Sequence, residues 1–228
     1  MNRQIITTAD GSKTIQLVDL EEQYHSIHGA LQESKHVYIN QGLLHYHSLK
    51  ISVKPISILE IGFGTGLNAM ATLVEAKNNN LQIQYVGVEA YPISKKEVFE
   101  LHYGEQFTFK NSIQLFNEIH SCSWEKPHEI ISGFTLEKQQ KFFSEITDKN
   151  VFHIIYFDAF GARVQPELWT EDIFRIMYEA LKEEGVLVTY SAKGSVRRAL
   201  QAVGFIVERI PGPPGKREML RATKHSKN

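Results

Sequence analysis

The most constraining feature of the chain is the string Leu59-Glu60-Ile61-Gly62-Phe63-Gly64-Thr65-Gly66-Leu67-Asn68. It closes the apolar run Ile56–Ile61 and opens a helix-like stretch from Asn68 to Lys77. Glycines at such a strand-to-helix turn let the backbone bend sharply and bring bare N–H groups against a ligand. Dinucleotide sites use glycines here too, so the motif alone leaves the ligand open. Three details narrow it. The spacing is G-x-G-x-G rather than G-x-G-x-x-G. Glu60 sits two residues before the first glycine. Glu89 ends the next predicted strand, Ile83–Glu89. An acid at that strand end suits ribose hydroxyls. An acid inside the first loop suits the ammonium of an amino-acid tail and would repel a pyrophosphate. The set favours S-adenosylmethionine over a dinucleotide, against the plainer alternative of an ordinary βα turn with Glu60 as a cap.

Strand and helix patterns alternate from there. Helices are predicted over Ser94–His102, Glu137–Ile146, Thr170–Lys182 and Ser195–Val203. Strands are predicted within Glu129–Leu136, at Val151–Phe157 and at Val186–Tyr190. This alternation implies a parallel sheet covered on both faces. A last pair, Phe205–Ile210 and Glu218–Thr223, has no helix between its members and reads as an antiparallel hairpin. That ending separates the methyltransferase variant of the doubly wound fold from the dinucleotide-binding one. The expected architecture is therefore α/β: a Rossmann-like class I S-adenosylmethionine-dependent methyltransferase with a seven-stranded, mostly parallel sheet and an antiparallel terminal hairpin. Residues 55–228 form that domain. Residues 1–54 read as a small β-rich extension: a turn at Asp10-Gly11, a helix over Leu20–Ser34, then strands at Val37–Ile39 and Leu43–Tyr46.

Length and composition set outer bounds. A chain of 228 residues fits one α/β domain with an appendage. At 42% hydrophobic and 22% charged residues, disordered and fibrous classes are excluded. One cysteine, Cys122, excludes an intrachain disulfide and multi-cysteine metal centres. No run approaches the roughly 18 apolar residues of a membrane span. Met1–Ser12 lacks the apolar core of a signal peptide, so a soluble cytoplasmic protein is expected. The ten histidines show no metal-ligand spacing. The formal net charge of -1 hides an asymmetry: ten Lys/Arg against four Asp/Glu from Lys182 to Asn228, about +6, leaves about -7 elsewhere. Such a tail is either a polyanion-facing side or a solvated surface.

Other candidates follow from position. Asp158 closes a buried strand, where carboxyl ends face the ligand crevice. It reads as a carboxylate that orients or deprotonates an amine, or else as a loop hydrogen bonder. Trp169 either stacks on a base or caps the core. Lys193, Arg197, Arg198, Lys216 and Arg217 cluster near a helix start and a Pro/Gly loop, and are candidates for phosphates or for solvation.

Together these residues resemble the tRNA 5-methylaminomethyl-2-thiouridine methyltransferases. The match runs through Tyr24-His25-Ser26, Gly29-Ala30, Glu33 and Val37–Ile39, then Glu60–Asn68. It continues in Asp158-Ala159-Phe160 with Pro166, Trp169 and Phe174. It ends in Val196–Leu200, Gly204-Phe205 and Gly215–Leu220. The resemblance implies methylation of the aminomethyl group of 5-aminomethyl-(2-thio)uridine at the tRNA wobble position. It implies S-adenosyl-L-methionine held by Glu60, Gly62, Phe63, Gly64, Thr65, Gly66, Asn68, Glu89, Ala90, Asp158 and Ala159, with Asp158 catalytic. It implies an anticodon stem-loop held by Lys193, Arg197, Lys216 and Arg217, with Tyr38, Phe160 or Trp169 stacking on the flipped uridine. No metal, FAD oxidase half, DNA, membrane or obligatory protein partner is expected. The family's adenine-contacting aspartate has no counterpart near Lys138–Phe143. The rival readings are another class I methyltransferase or an aminopropyltransferase-like enzyme on a small amine, an NAD-dependent oxidoreductase, and a noncatalytic RNA-binding module.

Overall fold

The computed structural model describes residues 2–50 and 52–225. Met1 and the last three residues of the basic tail lie outside them. Strands β1 (Arg3–Thr7) and β2 (Lys13–Leu17) pair antiparallel around the Asp10-Gly11 turn. The Asp10 carboxylate pins that turn, accepting from the Thr8 hydroxyl at 2.8 Å and the Ser12 N–H at 3.0 Å. A short β3 (Glu22–Gln23) completes a three-stranded sheet.

The next stretch corrects the sequence reading. Leu20–Ser34 is not one helix: only α1 (Ala30–Ser34) is helical beyond a short turn at Val18–Leu20. The strands expected at Val37–Ile39 and Leu43–Tyr46 are absent. α1 continues through a π-helical stretch, Lys35–Leu44, into α2 (His45–Leu49). The β-branched and aromatic residues that suggest strands here are the ones this rod buries on the main sheet: Val37, Tyr38, Ile39, Leu43 and Tyr46. Tertiary packing outweighs local preference. Gly42 is what lets the rod lie so close, since a Cβ there would stand 2.9 Å from the Tyr156 ring.

The main domain alternates β4 (Ile56–Ile61), α3 (Leu67–Asn78), β5 (Ile83–Val88) and α4 (Lys95–Leu101), the last closed by a Ser94/Glu97 capping box. Then come α5 (Ser112–Ser121), β6 (Pro127–Ile131), β7 (Phe134–Gln139), β8 (Phe152–Phe157), α6 (Glu171–Ala180) and β9 (Leu181–Thr189). The chain ends in α7 (Gly194–Ala202), β10 (Phe205–Pro211) and β11 (Glu218–Lys224). The sheet order is β10-β11-β9-β8-β4-β5-β7-β6. β9, β8, β4, β5 and β7 run parallel; β11 lies antiparallel beside β9, and β10 beside β11. The terminal hairpin is as expected.

The sheet has eight strands rather than seven. The extra one is β6, which pairs antiparallel with β7. The helix expected over Glu137–Ile146 is instead the end of β7 and a short turn. Phe134, Leu136 and Lys138 alternate inward with period two, and Gly133 at φ +87° makes the hairpin turn. The helix expected to run to Lys182 ends at Ala180, and β9 follows at once through Gly185. Apolar layers cover both faces of the sheet, so β4 and β8 are buried along their whole length. Among the described residues no helix is long and apolar enough to cross a membrane.

Candidate functional site

Strand register assembles the site. Ile61 lies opposite both Val88 and Phe157, so the residues that follow these three strands meet at one edge: Gly62, Glu89 and Asp158. Gly62 and Phe63 both donate their N–H to the Val88 carbonyl, and the Asp158 N–H donates to Ile61, each near 3.0 Å. Gly62 has φ +87°, and a Cβ there would stand 2.7 Å from the Asp158 carbonyl oxygen, so a side chain is excluded.

A cleft of about 1180 Å³ opens above this edge. At one end is Glu89, whose carboxylate accepts the Gly64 N–H at 3.0 Å and the Tyr91 N–H at 2.9 Å. Beside it the exposed rings of Tyr91 and Phe142 meet edge to face, centroids 6.0 Å apart. At the other end is Asp158. The Tyr38 hydroxyl donates to its Oδ1 at 2.6 Å and the Asn68 amide to its Oδ2 at 2.8 Å. Burial raises its pKa to about 7, against the lowering effect of the Tyr38 hydrogen bond. A carboxyl poised there is half ionised near neutral pH and suits proton acceptance.

Asn68 joins two acids. Its amide also donates to Glu60 at 2.9 Å, and its carbonyl accepts from the Ser34 hydroxyl at 2.6 Å. This corrects the reading of Glu60. Its carboxyl is fully buried beneath the loop, accepts from the Tyr85 hydroxyl at 2.8 Å, and is pushed well above the usual carboxylate range by burial. It presents no anion to the cleft and acts through Asn68.

His25 lines the cleft on the other side. Its Nε2 lies 2.6 Å from the Thr65 hydroxyl and its Nδ1 4.0 Å from Asp158 Oδ2. Burial lowers its pKa to about 4, so the ring is neutral at pH 7. Glu33, also buried, holds Lys216 Nζ at 2.6 Å, and the same ammonium lies 4.0 Å from the Tyr190 ring centroid. Sequence reading missed His25, Glu33 and Tyr190 as site residues. The available signal for His25 and Glu33 was their place in the family-like blocks at Tyr24–Ser26 and Glu33; Tyr190 carried only its place at the end of a predicted strand.

Of the candidates, Gly62, Gly64, Thr65, Glu89, Ala90, Asp158, Ala159, Phe160 and Lys193 border the cleft. Six others lie off the cleft or are committed to other partners. Tyr38 is buried and holds Asp158 rather than facing a base. Trp169 caps the core between Phe157 and Phe174, its Nε1–H bonded to the Phe160 carbonyl at 2.7 Å. Phe63 packs on Gly87 and lines a separate hollow behind the loop. Arg197 and Arg217 are not on the cleft wall. Lys216 is on it but is committed to Glu33, so it is not a free phosphate ligand. No group of three His, Cys, Asp or Glu side chains among the described residues could hold a metal ion.

The bare glycine backbone, the Glu89 carboxylate beside it and the volume of the cleft fit S-adenosylmethionine. A family model described as S-adenosyl-L-methionine-dependent methyltransferase matches residues 133–225. The tRNA 5-methylaminomethyl-2-thiouridine biosynthesis bifunctional protein MnmC of Leptospira borgpetersenii (strain JB197) is 27% identical over 218 residues, 88% of this chain and 32% of that protein. The protein of the same name from Actinobacillus pleuropneumoniae (strain L20) is 27% identical over 223 residues, 90% and 32%. The chain thus spans about a third of the length of these curated relatives. The crystal structure of MnmC2 from Aquifex aeolicus superposes with a TM-score of 0.79 at 24% identity, over 99% of this chain and 71% of that one. Spermidine synthase from Thermotoga maritima superposes at 0.58 with 16% identity, over 97% and 68%, a likeness of fold alone. Fold and cleft define an S-adenosyl-L-methionine-dependent methyltransferase. Within that class, the chain is similar to the MnmC proteins over about a third of their length.

Proposed function

We propose that the chain methylates the primary amine of 5-aminomethyl-(2-thio)uridine at the wobble position of tRNA. The observation that carries this reading is Asp158: a buried carboxyl with a pKa of about 7, held by Tyr38 and Asn68 at the foot of the cofactor cleft. An amine must be neutral to attack, and near neutral pH it is mostly protonated. The amine sheds that proton to solvent on entering the cleft, and ionised Asp158 fixes the nitrogen for in-line displacement and accepts the proton set free by methylation. Bound S-adenosylmethionine supplies an electrophilic methyl on a sulfonium.

The chain's own residues do the rest. Glu89 takes the ribose hydroxyls, and the N–H groups around Gly64 face the methionine end. Tyr91 and Phe142 flank the adenine, where the sequence has no aspartate to read it. Lys193 meets the anticodon-stem phosphates at the cleft rim, and Phe160 stacks on the uracil. Most of the rate comes from positioning and from excluding water around the cationic donor.

The deciding assay combines the protein, labelled S-adenosylmethionine and tRNA bearing 5-aminomethyl-2-thiouridine, followed by nucleoside mass analysis. One added methyl at the wobble base is expected, and none with Asp158→Asn. Cofactor binding without any methylated tRNA would remove the substrate and leave the class. A matched assay with decarboxylated S-adenosylmethionine and a small amine tests the aminopropyltransferase alternative.

A further inference from the structure

His25 has no role in the reaction described so far, yet it is buried and faces the acid. The donors and acceptors around it point to one tautomer. The Tyr103 hydroxyl donates its one proton to the Lys13 carbonyl at 2.6 Å. The Tyr103 oxygen keeps a lone pair, and the Thr65 hydroxyl acts on it as a donor, lowering the Tyr103 pKa against the larger effect of burial. Thr65 has only that proton to give, so its oxygen accepts at 2.6 Å from His25, which carries its proton on Nε2. Nδ1 is left with a lone pair and, among the described residues, no hydrogen-bond donor. It points across 4.0 Å at Asp158 Oδ2. That is too long for a direct hydrogen bond, and two acceptors do not satisfy each other.

Two acceptors so placed are a seat for one nitrogen with two N–H groups, whose hydrogen-bond acceptors span roughly 4–5 Å. We infer that His25 Nδ1 and Asp158 Oδ2 together grip the two N–H bonds of the acceptor amine, and that this grip limits the enzyme to a single methyl transfer. The inference rests on the reading that the acceptor is a primary amine. With both N–H bonds held, the nitrogen lone pair has one direction left, toward the methyl. The lone pair forms the N–C bond as the S–C bond breaks, and that bond's electron pair stays on sulfur. The new secondary ammonium passes one proton to Asp158. The product then has one N–H. Rebinding it for a second transfer would set its methyl against the Nδ1 lone pair and leave that buried acceptor unpaired. Sites built to hydrogen-bond a substrate N–H reject analogues that lack it.

The test compares three proteins on tRNA carrying 5-aminomethyl-2-thiouridine: wild type, His25→Leu, which removes the acceptor, and His25→Asn, which returns an amide oxygen near the Nδ1 position. Wild type is expected to stop at one methyl on prolonged incubation. His25→Leu is expected to lose about tenfold in kcat, the worth of one buried hydrogen bond, and to accumulate dimethylated nucleoside. His25→Asn is expected to restore the monomethyl product. Nitrogen-15 NMR of labelled wild type gives a readout without turnover, with Nδ1 expected as the unprotonated nitrogen. A protonated Nδ1 overturns the inference. So does a folded His25→Leu enzyme with near wild-type kcat and monomethyl product only. If wild type transfers no methyl to this tRNA, the substrate reading fails instead. If His25→Leu does not fold, the NMR result and the His25→Asn product decide.

Discussion

At the scale of single residues the site depends on how one carboxylate is held. Asp158 has two donors, and burial works against its charge. Because its folded pKa is raised, the fold prefers the protonated form. Its contribution to stability is lost as pH rises from about 4 to about 7. On the proposed reaction activity has the opposite dependence, since there the ionised form accepts the proton. The rate of methyl transfer is therefore expected to rise through pH 7. Tyr38→Phe removes one charged hydrogen bond, worth roughly 1.5–3 kcal/mol, and should move that rise upward by about one pH unit or more. A kcat–pH profile unchanged in Tyr38→Phe would show that the phenol does not support the anion. Asp158 was legible in the sequence because a strand-end acid has few other uses. Tyr38 was not, because nothing local shows that a tyrosine reaches a residue so distant in the chain.

At the scale of elements the crossing of the N-terminal rod over the sheet is the feature to test. Gly42→Val would drive a side chain into Tyr156 and Val188. A loss of roughly 1–3 kcal/mol is expected in urea unfolding, the usual cost of overpacking, with a larger fall in turnover as Tyr38 shifts. Gly62→Ala should be more severe, since its Cβ would meet backbone that cannot yield. Loss of S-adenosylmethionine binding by titration is the expected outcome. The elements themselves were unevenly legible. β4, α3, β5 and the closing hairpin announce themselves by apolar runs, glycines and acids. The rod does not, because its apolar residues suit a strand as well as a buried helix. β6 and β7 were missed as a hairpin because Glu137–Gln140 carries helix-favouring residues, while Lys138 turns its stem inward.

At the scale of the molecule the N-terminal segment and the C-terminal hairpin meet over the cleft. Lys216 on the hairpin loop bonds buried Glu33, and His36 bonds the Pro211 carbonyl at 2.8 Å. Lys216→Met leaves the Glu33 carboxylate unpaired, and a loss of roughly 1–3 kcal/mol is expected, between exposed and buried ion pairs. Thermal melts against Glu33→Gln/Lys216→Met, which removes both charges, would isolate the pairing energy. Lys193 borders the cleft and forms no ion pair among the described residues. Lys193→Ala should weaken tRNA binding and lower the salt slope by about one, with cofactor affinity unchanged. An unaltered slope would place the phosphates elsewhere. The charge asymmetry of the sequence does not tell committed cations from free ones.

The contact between Tyr38 and Asp158 bridges 120 residues. At 5–20 residues per second, the phenol leaves the ribosome roughly ten seconds before the carboxylate it will hold. Throughout that interval the nascent chain can form the glycine turn and the first strands, but it has no reactive centre. On the proposed reaction the centre is complete only once β8 has paired beside β4, so a chain that misassembles earlier would be inert.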